Sequence, residues 1–528
     1  MEIAPRRFWP ILLTLSVALL AIQLLFLPLA GIDGDESLFA QPFLRGIEPL
    51  YSWHFGGIRI PVMSLSYIGA LKTWLYWPIF QIWGTGVWSV RLPVCLISLG
   101  TMLFFGNAVR SFAGPLTAIL AATFLALDPV YIVTNVYDWG PVALLLLSTA
   151  AILHWLCRFG ATARARYLQL AFFSAGVATW YKTIYVALFV CLLASLVIVY
   201  FQEIRSLTTR VSWQTPVAAV VAFASGCSPL IIFNVTHDLA TVNAGAALAR
   251  APIHEKLVMM LRTLDGRALE HLIFRSSPHE KVTLSGADLP ELVAGWYRTT
   301  AMGPGSAMPL LLLLCLLALP FFRRTSFFRP LLCGWIACIT FFALMLGFRD
   351  AGAGPHHTVL IYPGPQFIVA ATMAALAQVF GKSGRLITTA AACLLVFSNL
   401  YLVTRYFSEA RHNGFSELWT ASTHELSRTI QGQNRPVAFL DWSVGESVQV
   451  ESGDTFPLAA SSLAGDGTLN ENALYATRCE GYVLDEGRMK TFEARRAQAG
   501  LERTAEGSIP DPQGERIYCL FMLRKAER

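Results

Sequence analysis

Long apolar runs separated by short polar segments fill the first three quarters of the 528-residue chain. Most of these runs are long enough to cross a lipid bilayer as a helix, which takes about 20 apolar residues. The pattern predicts a mainly α, polytopic membrane protein with about eleven spans. The predicted spans are residues 9–30, 88–109, 114–133, 140–157, 167–181, 184–201, 216–234, 309–322, 328–347, 359–380 and 386–405.

The apolar segment 61–83 departs from this pattern, because Lys72 interrupts it and aromatic residues crowd it. We predict a helix that lies on the membrane surface or re-enters it. Short cytoplasmic loops are rich in Lys and Arg. With a cytoplasmic N-terminus and no span at 61–83, the basic loops fall on one side of the membrane and the acidic segments on the other. Counting 61–83 as a span destroys this sorting.

Two connections are too long to be simple turns, and both fall on the acidic, external side. Residues 31–87 form a first external loop with surface helices, and residues 235–308 form a second. Leu257, Leu261 and Leu264 in the second loop have helical spacing. Ordered loops of this length are usually functional.

The tail of the chain differs in composition from the membrane part. Residues 1–409 are predicted to form the transmembrane module, and residues 410–528 a small extracytoplasmic α/β domain. Cys479 and Cys519 lie in this tail, where an oxidising compartment would allow them to pair; free thiols are the alternative. The predicted elements of the tail are a helix near 415–430 and strands at 437–440, 482–484 and 517–523.

Composition agrees with the membrane assignment, because 55% of the residues are hydrophobic and only 14% are charged. Soluble domains carry about 25% charged residues. The net charge of +6 comes from short clusters of Lys and Arg between apolar runs. Since no basic stripe interleaved with aromatic residues is present, nucleic acid is excluded as a partner.

Three carboxylates, Asp33, Asp35 and Glu36, follow the first predicted span directly. Acidic groups are costly in the bilayer and marginal at its edge, so we expect them to serve function rather than solubility. We expect Asp35 to carry that function, Glu36 to support it and Asp33 to be a solvated loop residue. The alternative is that the pair Asp35-Glu36 only caps a surface helix.

Further unusual polar residues are predicted on the same face of the membrane. A carboxylate there can act as a general base, cations can hold a phosphate, and neutral His can donate to a phosphate oxygen or ligate a metal. Structural alternatives are N-capping for the acid, membrane snorkelling or topology anchoring for the lysines, and loop solvation for the histidines. These residues are Arg59, Lys72, Asp138, Lys182, Arg349, His356, His357 and Tyr362.

Four sequence runs carry a resemblance to a known family. This layout resembles the GT-C glycosyltransferases, in particular the bacterial branch related to protein O-mannosyltransferases and the lipid A aminoarabinose transferase, which are the family 39 and 83 types. The resemblance covers roughly residues 8–405. The runs are Asp35-Glu36-Ser37-Leu38-Phe39-Ala40, Asp138-Trp139-Gly140-Pro141, the segment Tyr67 to Tyr76 around Lys72, and Trp88-Ser89-Val90-Arg91-Leu92-Pro93.

The resemblance implies a GT-C fold and an inverting glycosyltransferase that uses a polyprenyl-phosphate sugar. Asp35 matches the proposed base, which activates an acceptor hydroxyl for attack on the anomeric carbon. Glu36 and Asp138 complete the candidate catalytic set. Lys72 is the best match for a phosphate-binding residue. The other candidate substrate-binding residues are Lys182, His356, His357, Tyr362, Arg349 and Arg59.

The resemblance also implies partners and a location. The donor is a polyprenyl-phosphate sugar, and the acceptor is a lipid, a glycan or a protein. Some members bind a divalent metal ion at this face, but no ligand set transfers to this chain. We expect an integral protein of the bacterial inner membrane, surrounded by membrane lipids.

Two other functional classes compete with this interpretation. A transporter or lipid flippase would cleave no bond, and it would place ionisable groups near mid-membrane, often within an inverted repeat. In this sequence the acids lie at the membrane edge and no clear repeat is present. A non-catalytic assembly protein would depend on its tail instead.

Overall fold

A computed structural model describes residues 5–247, 251–270, 272–274, 305–349, 351–459 and 469–525. Helices dominate the part that leads up to residue 412. They are α1 (Pro5–Phe26), α2 (Gly34–Ser37), α3 (Leu71–Trp83), α4 (Val87–Ala126), α5 (Pro129–Thr134), α6 (Val142–Thr162), α7 (Ala165–Tyr181), α8 (Tyr185–Val199), α9 (Phe201–Thr208), α10 (Gln214–Thr236), α11 (Ala240–Ala247), α12 (Ile253–Leu264), α13 (Met308–Ala318), α14 (Phe328–Gly347), α15 (Pro355–Thr358), α16 (Gly364–Val379) and α17 (Gly381–His412).

A helix occupies every predicted span. Helix α4 contains the predicted span 88–109 and most of the predicted span 114–133. Its backbone breaks between the two at Gly114, where φ is 86° and Pro115 follows. Within the described residues, seven helices are long and apolar enough to cross a membrane by length and composition, or eight if the bent pair α8 and α9 forms one span. The chain is therefore an integral membrane protein with a polytopic helical fold.

Helices α7 and α10 pack with their backbones in close approach. A Cβ atom at Gly176 of α7 would overlap the carbonyl oxygen of Phe223, and one at Gly226 of α10 would overlap that of Phe173. Small residues allow this approach in membranes, where van der Waals packing holds helices together. The two glycines thus fix α7, and with it the turn that carries Lys182.

Residues 31–87, which are predicted to form the first external loop, contain a small antiparallel sheet in the order β1 (Tyr51–Phe55), β2 (Ile58–Leu65) and β3 (Ile68–Gly69). The predicted helix over 61–83 is therefore wrong in its first half, and α3 begins only at Leu71. Gly56 and Gly57 both have positive φ and join paired Phe55 and Ile58, which is the geometry of a two-residue hairpin turn. This glycine doublet is a strand signal in the sequence.

The loop predicted over residues 235–308 is mainly helical where the structure describes it. Helix α12 confirms the spacing of Leu257, Leu261 and Leu264. The Lys256 ammonium lies on the inner face of α12 and donates to the carbonyl oxygens of Met345, at 3.1 Å, and Phe348. Residues 275–304 of the predicted loop lie outside the described residues.

The C-terminal module, residues 413–525, has a four-stranded sheet in the order β4, β5, β7, β6. Strands β4 and β5 are parallel, and the other pairs are antiparallel. Its elements are α18 (Ser422–Gln431), β4 (Val437–Phe439), α19 (Val444–Ser452), β5 (Leu474–Arg478), α20 (Glu486–Gln498), β6 (Leu501–Pro510) and β7 (Arg516–Lys525).

The structure confirms the predicted strands at 437–440 and 517–523 and a helix near 415–430. The predicted strand 482–484 is wrong, since the amides of Leu484 and Asp485 donate to the Asp441 carboxylate instead of to a strand. A side-chain acceptor can compete with strand pairing for backbone amides, so this apolar segment forms a turn instead of a strand.

Cys479 and Cys519 form a disulfide that joins the end of β5 to β7, with the two Cα atoms 5.1 Å apart. The sequence left this pairing open.

We expect the double substitution of Cys479 and Cys519 by Ser to destabilise the C-terminal module by up to about 4 kcal/mol, because the bond closes a loop of 40 residues. Pulse proteolysis in urea of the full-length protein in detergent measures this change. The Cys393→Ser variant, at an exposed free cysteine, is the control. Equal urea midpoints for the double variant and the wild type would contradict the expectation.

Candidate active site

The site begins in the turn that follows α1, because carbonyl groups that leave a helix need partners outside it. The guanidinium of Arg91, in α4, is the partner of three of them. Its Nη1 donates to the carbonyl oxygens of Leu27, at 2.8 Å, and Ala30, at 2.7 Å, and its Nη2 donates to that of Gly31, at 2.6 Å. A buried cation at this position also interacts favourably with the helix dipole.

The remaining Arg91 donors bind the carboxylate of Glu36 as a fork, at 2.8 Å from Nε and 2.7 Å from Nη2. Both side chains are fully buried. All five donor positions of the guanidinium are therefore satisfied, which is the condition for a stable buried charge pair. Glu36 is thus committed to holding the turn rather than facing an open space.

Asp33 is the N-cap of α2. Its side chain accepts from the amide of Asp35 at 2.9 Å, and its own amide donates to Glu36 at 3.2 Å, which completes a capping box. Asp33 is only 2% exposed, so the prediction that it is a solvated loop residue is wrong. The helix it caps is only one turn long, and a side-chain cap supplies bonds that so short a helix cannot make internally.

Of the three acids, Asp35 is partly exposed, whereas Asp33 and Glu36 are buried. Burial raises the pKa of its carboxyl, although the Lys182 ammonium, the indole N–H of Trp139 and, more weakly, Lys72 act to lower it. Asp35 therefore faces away from the Arg91 cluster and towards Trp139 and Lys182. Adjacent residues thus carry one partly exposed carboxylate and one that is fully buried in an ion pair.

Lys72 and Asp138 form a second buried charge pair close to Asp35. The Lys72 ammonium donates to Oδ2 of Asp138, and both residues are 1% exposed. It also lies over the rings of Phe39, at 5.1 Å, and Tyr76, at 5.3 Å. Burial raises the pKa of Asp138, and its ion pair with Lys72 opposes this.

Lys182 lies in the turn between α7 and α8, which is bonded to the β-hairpin. Ile68 of β3 forms a bridge with Lys182, and the amide of Thr183 donates to the carbonyl oxygen of Tyr67 at 3.3 Å. The indole of Trp180 donates to Val62 at 3.1 Å. The hairpin therefore sets the position of a buried cation.

His356 and His357 lie in the one-turn helix α15 and contact each other, with ring centroids 4.0 Å apart. His356 also packs on Trp139, at 5.4 Å. Lys182 is near enough to act electrostatically on both rings. The structure thus brings together Asp35, Trp139, Lys182 and the two histidines.

Several buried polar atoms around Asp35 have no hydrogen-bond partner among the described protein atoms. Such an atom costs about 1–3 kcal/mol, so a group of them beside one carboxylate indicates a polar ligand site. These atoms are Oδ1 of Asp33, Oη of Tyr181, Nδ1 of His356, Nδ1 of His357, Nε1 of Trp419 and Oγ of Ser443.

Three predicted binding residues lie elsewhere. Arg59 forms an exposed ion pair with Glu48, at 3.0 Å, near the tip of the β-hairpin. Arg349 is exposed after α14. The hydroxyl of Tyr362 donates to the carbonyl oxygen of Thr263 at 3.2 Å and belongs with Asp128 rather than with Lys72.

The sequence did not predict that the C-terminal module completes the turn at Asp35. The amide of Gly31 donates to the carbonyl oxygen of Trp419 at 3.1 Å, and that of Ile32 donates to Oε1 of Glu451 at 2.7 Å. Trp419 packs edge-on against Trp139, at 4.9 Å. Arg91 was noted only within a motif, although Arg near the start of a span, on the face where cations are disfavoured, is itself a signal.

In the described part of the chain, no group of three or more His, Cys, Asp or Glu side chains is placed to hold a metal ion. The carboxylates around Asp35 do not fit a divalent-metal site, because Glu36 is bound to Arg91, Asp138 is bound to Lys72 and Asp33 caps α2.

The sequence matches the family model of dolichyl-phosphate-mannose-protein mannosyltransferases over residues 70–233. This range contains Lys72, Arg91, Asp138 and Lys182. Among curated proteins, no sequence matches the chain.

Solved structures share the fold along the whole chain. ArnT from Cupriavidus metallidurans bound to undecaprenyl phosphate is similar with a TM-score of 0.57 and 12% identity, over 98% of both chains. Its apo form gives 0.56 and 13%, over 96% of this chain and 97% of ArnT. An Archaeoglobus fulgidus oligosaccharyltransferase tethered with an acceptor peptide gives 0.51 and 13%, over 99% of this chain and 74% of that one. The predicted GT-C fold is confirmed.

We expect Arg91→Lys to destabilise the protein by about 3–5 kcal/mol, because an ammonium cannot reproduce the fork and leaves Glu36 and carbonyl groups buried without partners. Unfolding by sodium dodecyl sulfate in mixed micelles measures this loss. Arg59→Ala, which breaks an exposed ion pair, should change the stability by no more than about 1 kcal/mol. Equal losses for the two variants would show that the buried pair is not a main support of the turn.

Proposed function

We propose that this chain, which has the GT-C fold and matches a mannosyltransferase family model over residues 70–233, is a membrane glycosyltransferase. We propose that it transfers a sugar, with inversion, from a polyprenyl-phosphate donor to an acceptor hydroxyl at the external face of the membrane. The observation that carries the proposal is the environment of Asp35. This carboxylate is partly exposed, lies beside a buried cation and is surrounded by buried polar atoms without protein partners.

Asp35 is the general base. Its raised pKa makes it a better proton acceptor than an ordinary Asp, which is what a base for a hydroxyl group needs. The acceptor hydroxyl gives its proton to Asp35 while its oxygen bonds to the anomeric carbon. The bond from that carbon to the phosphate oxygen breaks on the opposite side, and the electron pair leaves with the polyprenyl phosphate. Inversion follows from this direct displacement.

Lys182, His356 and His357 form the proposed phosphate site. Lys182 supplies a fixed charge, and the two histidines supply ring nitrogens that have no protein partner at Nδ1. The charge that develops on the leaving phosphate is stabilised by groups already in place, so little reorganisation is needed during the reaction. Trp139 links this site to Asp35, since it contacts both.

Lys72 and Asp138 take a shared role in this proposal. Lys72 contributes to the field that acts on Asp35, and Asp138 is its counter-ion. Without Asp138 the ammonium would be buried beside the two aromatic rings with no anionic partner. Glu36 is a positioning residue, because it acts through Arg91 and the capping box. Arg59, Arg349 and Tyr362 take no part in the proposed chemistry.

Release of undecaprenyl phosphate from a panel of donors identifies the sugar that the protein transfers. Purified protein in liposomes is given undecaprenyl phosphate linked to a panel of hexoses and pentoses, with and without envelope lipid and glycan extract as acceptor. Free undecaprenyl phosphate is measured. We expect Asp35→Asn to lower turnover by at least about 100-fold, because the general base is lost while size and folding are retained.

Glu48→Gln, at an exposed acid of the same external loop, is the matched control and should keep wild-type turnover. A melting profile checks that both variants fold. If Asp35→Asn retains wild-type turnover, the proposed base is wrong. Movement of the donor lipid across the bilayer, without cleavage of the bond between sugar and phosphate, would favour a flippase.

The pH dependence follows from the same carboxyl group. The base is active when deprotonated, and burial raises its pKa above the ordinary Asp value of about 3.9. We therefore expect kcat/KM to fall on the acid side through a pKa clearly above 4 and to be constant just above it. A profile of initial rates on the accepted donor measures this limb. A limb at or below pH 4 would contradict the assignment.

A further inference from the structure

An aromatic side chain of the C-terminal module lies beside the Asp35 turn without being part of the proposed chemistry. Trp442 follows β4 and is 43% exposed. A Cβ atom at Gly34 would lie 2.9 Å from Cη2 of its indole and 2.6 Å from Cβ of Ser443. Because Gly34 precedes Asp35, the edge of the indole lies within roughly 8 Å of the Asp35 Cα atom.

The backbone of Trp442 is held on both sides by a buried ion pair. Its amide donates to Oδ1 of Asp441 at 2.9 Å, and its carbonyl oxygen accepts from Nη1 of Arg478 at 2.9 Å. The same Nη1 binds Oδ2 of Asp441 at 2.8 Å, and both charged side chains are almost completely buried. The fold therefore uses a buried charge pair to fix the main chain of an exposed tryptophan.

Ser443 adds a local strain to this arrangement. It has a φ of 62° and a ψ of −9°, in the left-handed region that residues other than glycine rarely adopt. Such backbone costs about 1–3 kcal/mol and persists where the surroundings enforce it, most often at functional sites. Its hydroxyl is buried without a hydrogen-bond partner among the described atoms. The strained residue turns the chain so that Trp442 lies on Gly34.

We propose that Trp442 is a stacking platform for a sugar ring at the reaction centre. The apolar C–H face of a pyranose or furanose packs on the negative face of an indole, which offers a large rigid surface at little entropic cost. The edge of the indole lies within roughly 8 Å of the Asp35 Cα atom, which is within reach of a sugar bound at the proposed base. This inference rests on the proposed function and adds a sugar-binding residue from the C-terminal module.

A direct binding test does not require turnover. The full-length protein in nanodiscs is labelled with 5-fluorotryptophan, and the 19F resonance that disappears in Trp442→Phe is assigned to Trp442 among the 14 tryptophans. Methyl glycosides of the hexoses and pentoses from the donor panel are titrated. We expect a saturable shift of the Trp442 resonance, with no shift for acyclic mannitol, which has no ring face. An equal shift with mannitol, or none with any glycoside, overturns the proposal.

Steady-state kinetics show whether the stacked sugar ring belongs to the donor or to the acceptor. Trp442→Ala should raise the KM of the sugar-bearing substrate roughly ten-fold with kcat within about two-fold, and Trp442→Phe should restore most of the affinity. A higher KM for donor hydrolysis without acceptor assigns the ring to the donor. An unchanged donor KM, with a higher KM for the acceptor extract or weaker glycoside competition, assigns it to the acceptor.

The matched control is Trp213→Ala, since Trp213 is 75% exposed and the whole of α8 separates its loop from the Lys182 turn. It should leave both KM values unchanged. If Trp442→Ala lowers kcat and leaves KM as in the wild type, the indole only supports Gly34 and the platform is wrong. If the chain releases no undecaprenyl phosphate at all, the proposed function fails while the 19F titration still decides whether Trp442 binds a sugar.

Discussion

The contact between Arg91 and Glu36 is the constraint on which the rest of the site depends. One guanidinium joins three carbonyl groups of the turn after α1, the acid of the short helix α2 and the helix α4 that carries it. A charge with no exposure is tolerated only because every donor has an acceptor. Any other course of the chain between residues 27 and 36 would leave part of this set without partners. The turn that presents Asp35 therefore has little conformational freedom.

Three neighbouring carboxylates differ because the surroundings differ, and not because of their side chains. Asp33 accepts an amide hydrogen bond as a helix cap, Glu36 is paired with the Arg91 fork, and Asp35 is left partly exposed beside the Lys182 ammonium. Lys72 and Asp138 follow the same principle, since each is a buried charge that is compensated by the opposite charge of the other. The site is a set of compensated charges with one carboxylate kept available.

The sequence predicted what depends on local pattern, and missed what depends on contacts between remote residues. Apolar runs give the spans, and the sorting of charges brings Asp35, Lys182 and the His356-His357 pair to one face. The hairpin at 51–65 was missed because its apolar strands were continuous with α3, although Gly56-Gly57 marks the turn. The capping box of Asp33 and Glu36 is local and has a sequence signature, an N-cap residue followed three positions later by Glu. The pairing of Lys72 with Asp138 needs an arrangement in space, since the two residues are 66 positions apart. The strand β6 carries too few apolar positions to stand out.

The hydrogen bonds from Gly31 and Ile32 to Trp419 and Glu451 join the beginning of the chain to its last quarter. Synthesis runs from the N-terminus, so the first helix and its acidic turn exist long before their partners have been made. During this interval all the spans can be inserted while the turn still lacks two of its main-chain bonds. A chain cut before residue 419 would keep the contacts of Arg91 and the capping box but would lack these two bonds. The position of the partners late in the sequence thus delays the last two hydrogen bonds of the turn until the C-terminal module has been made.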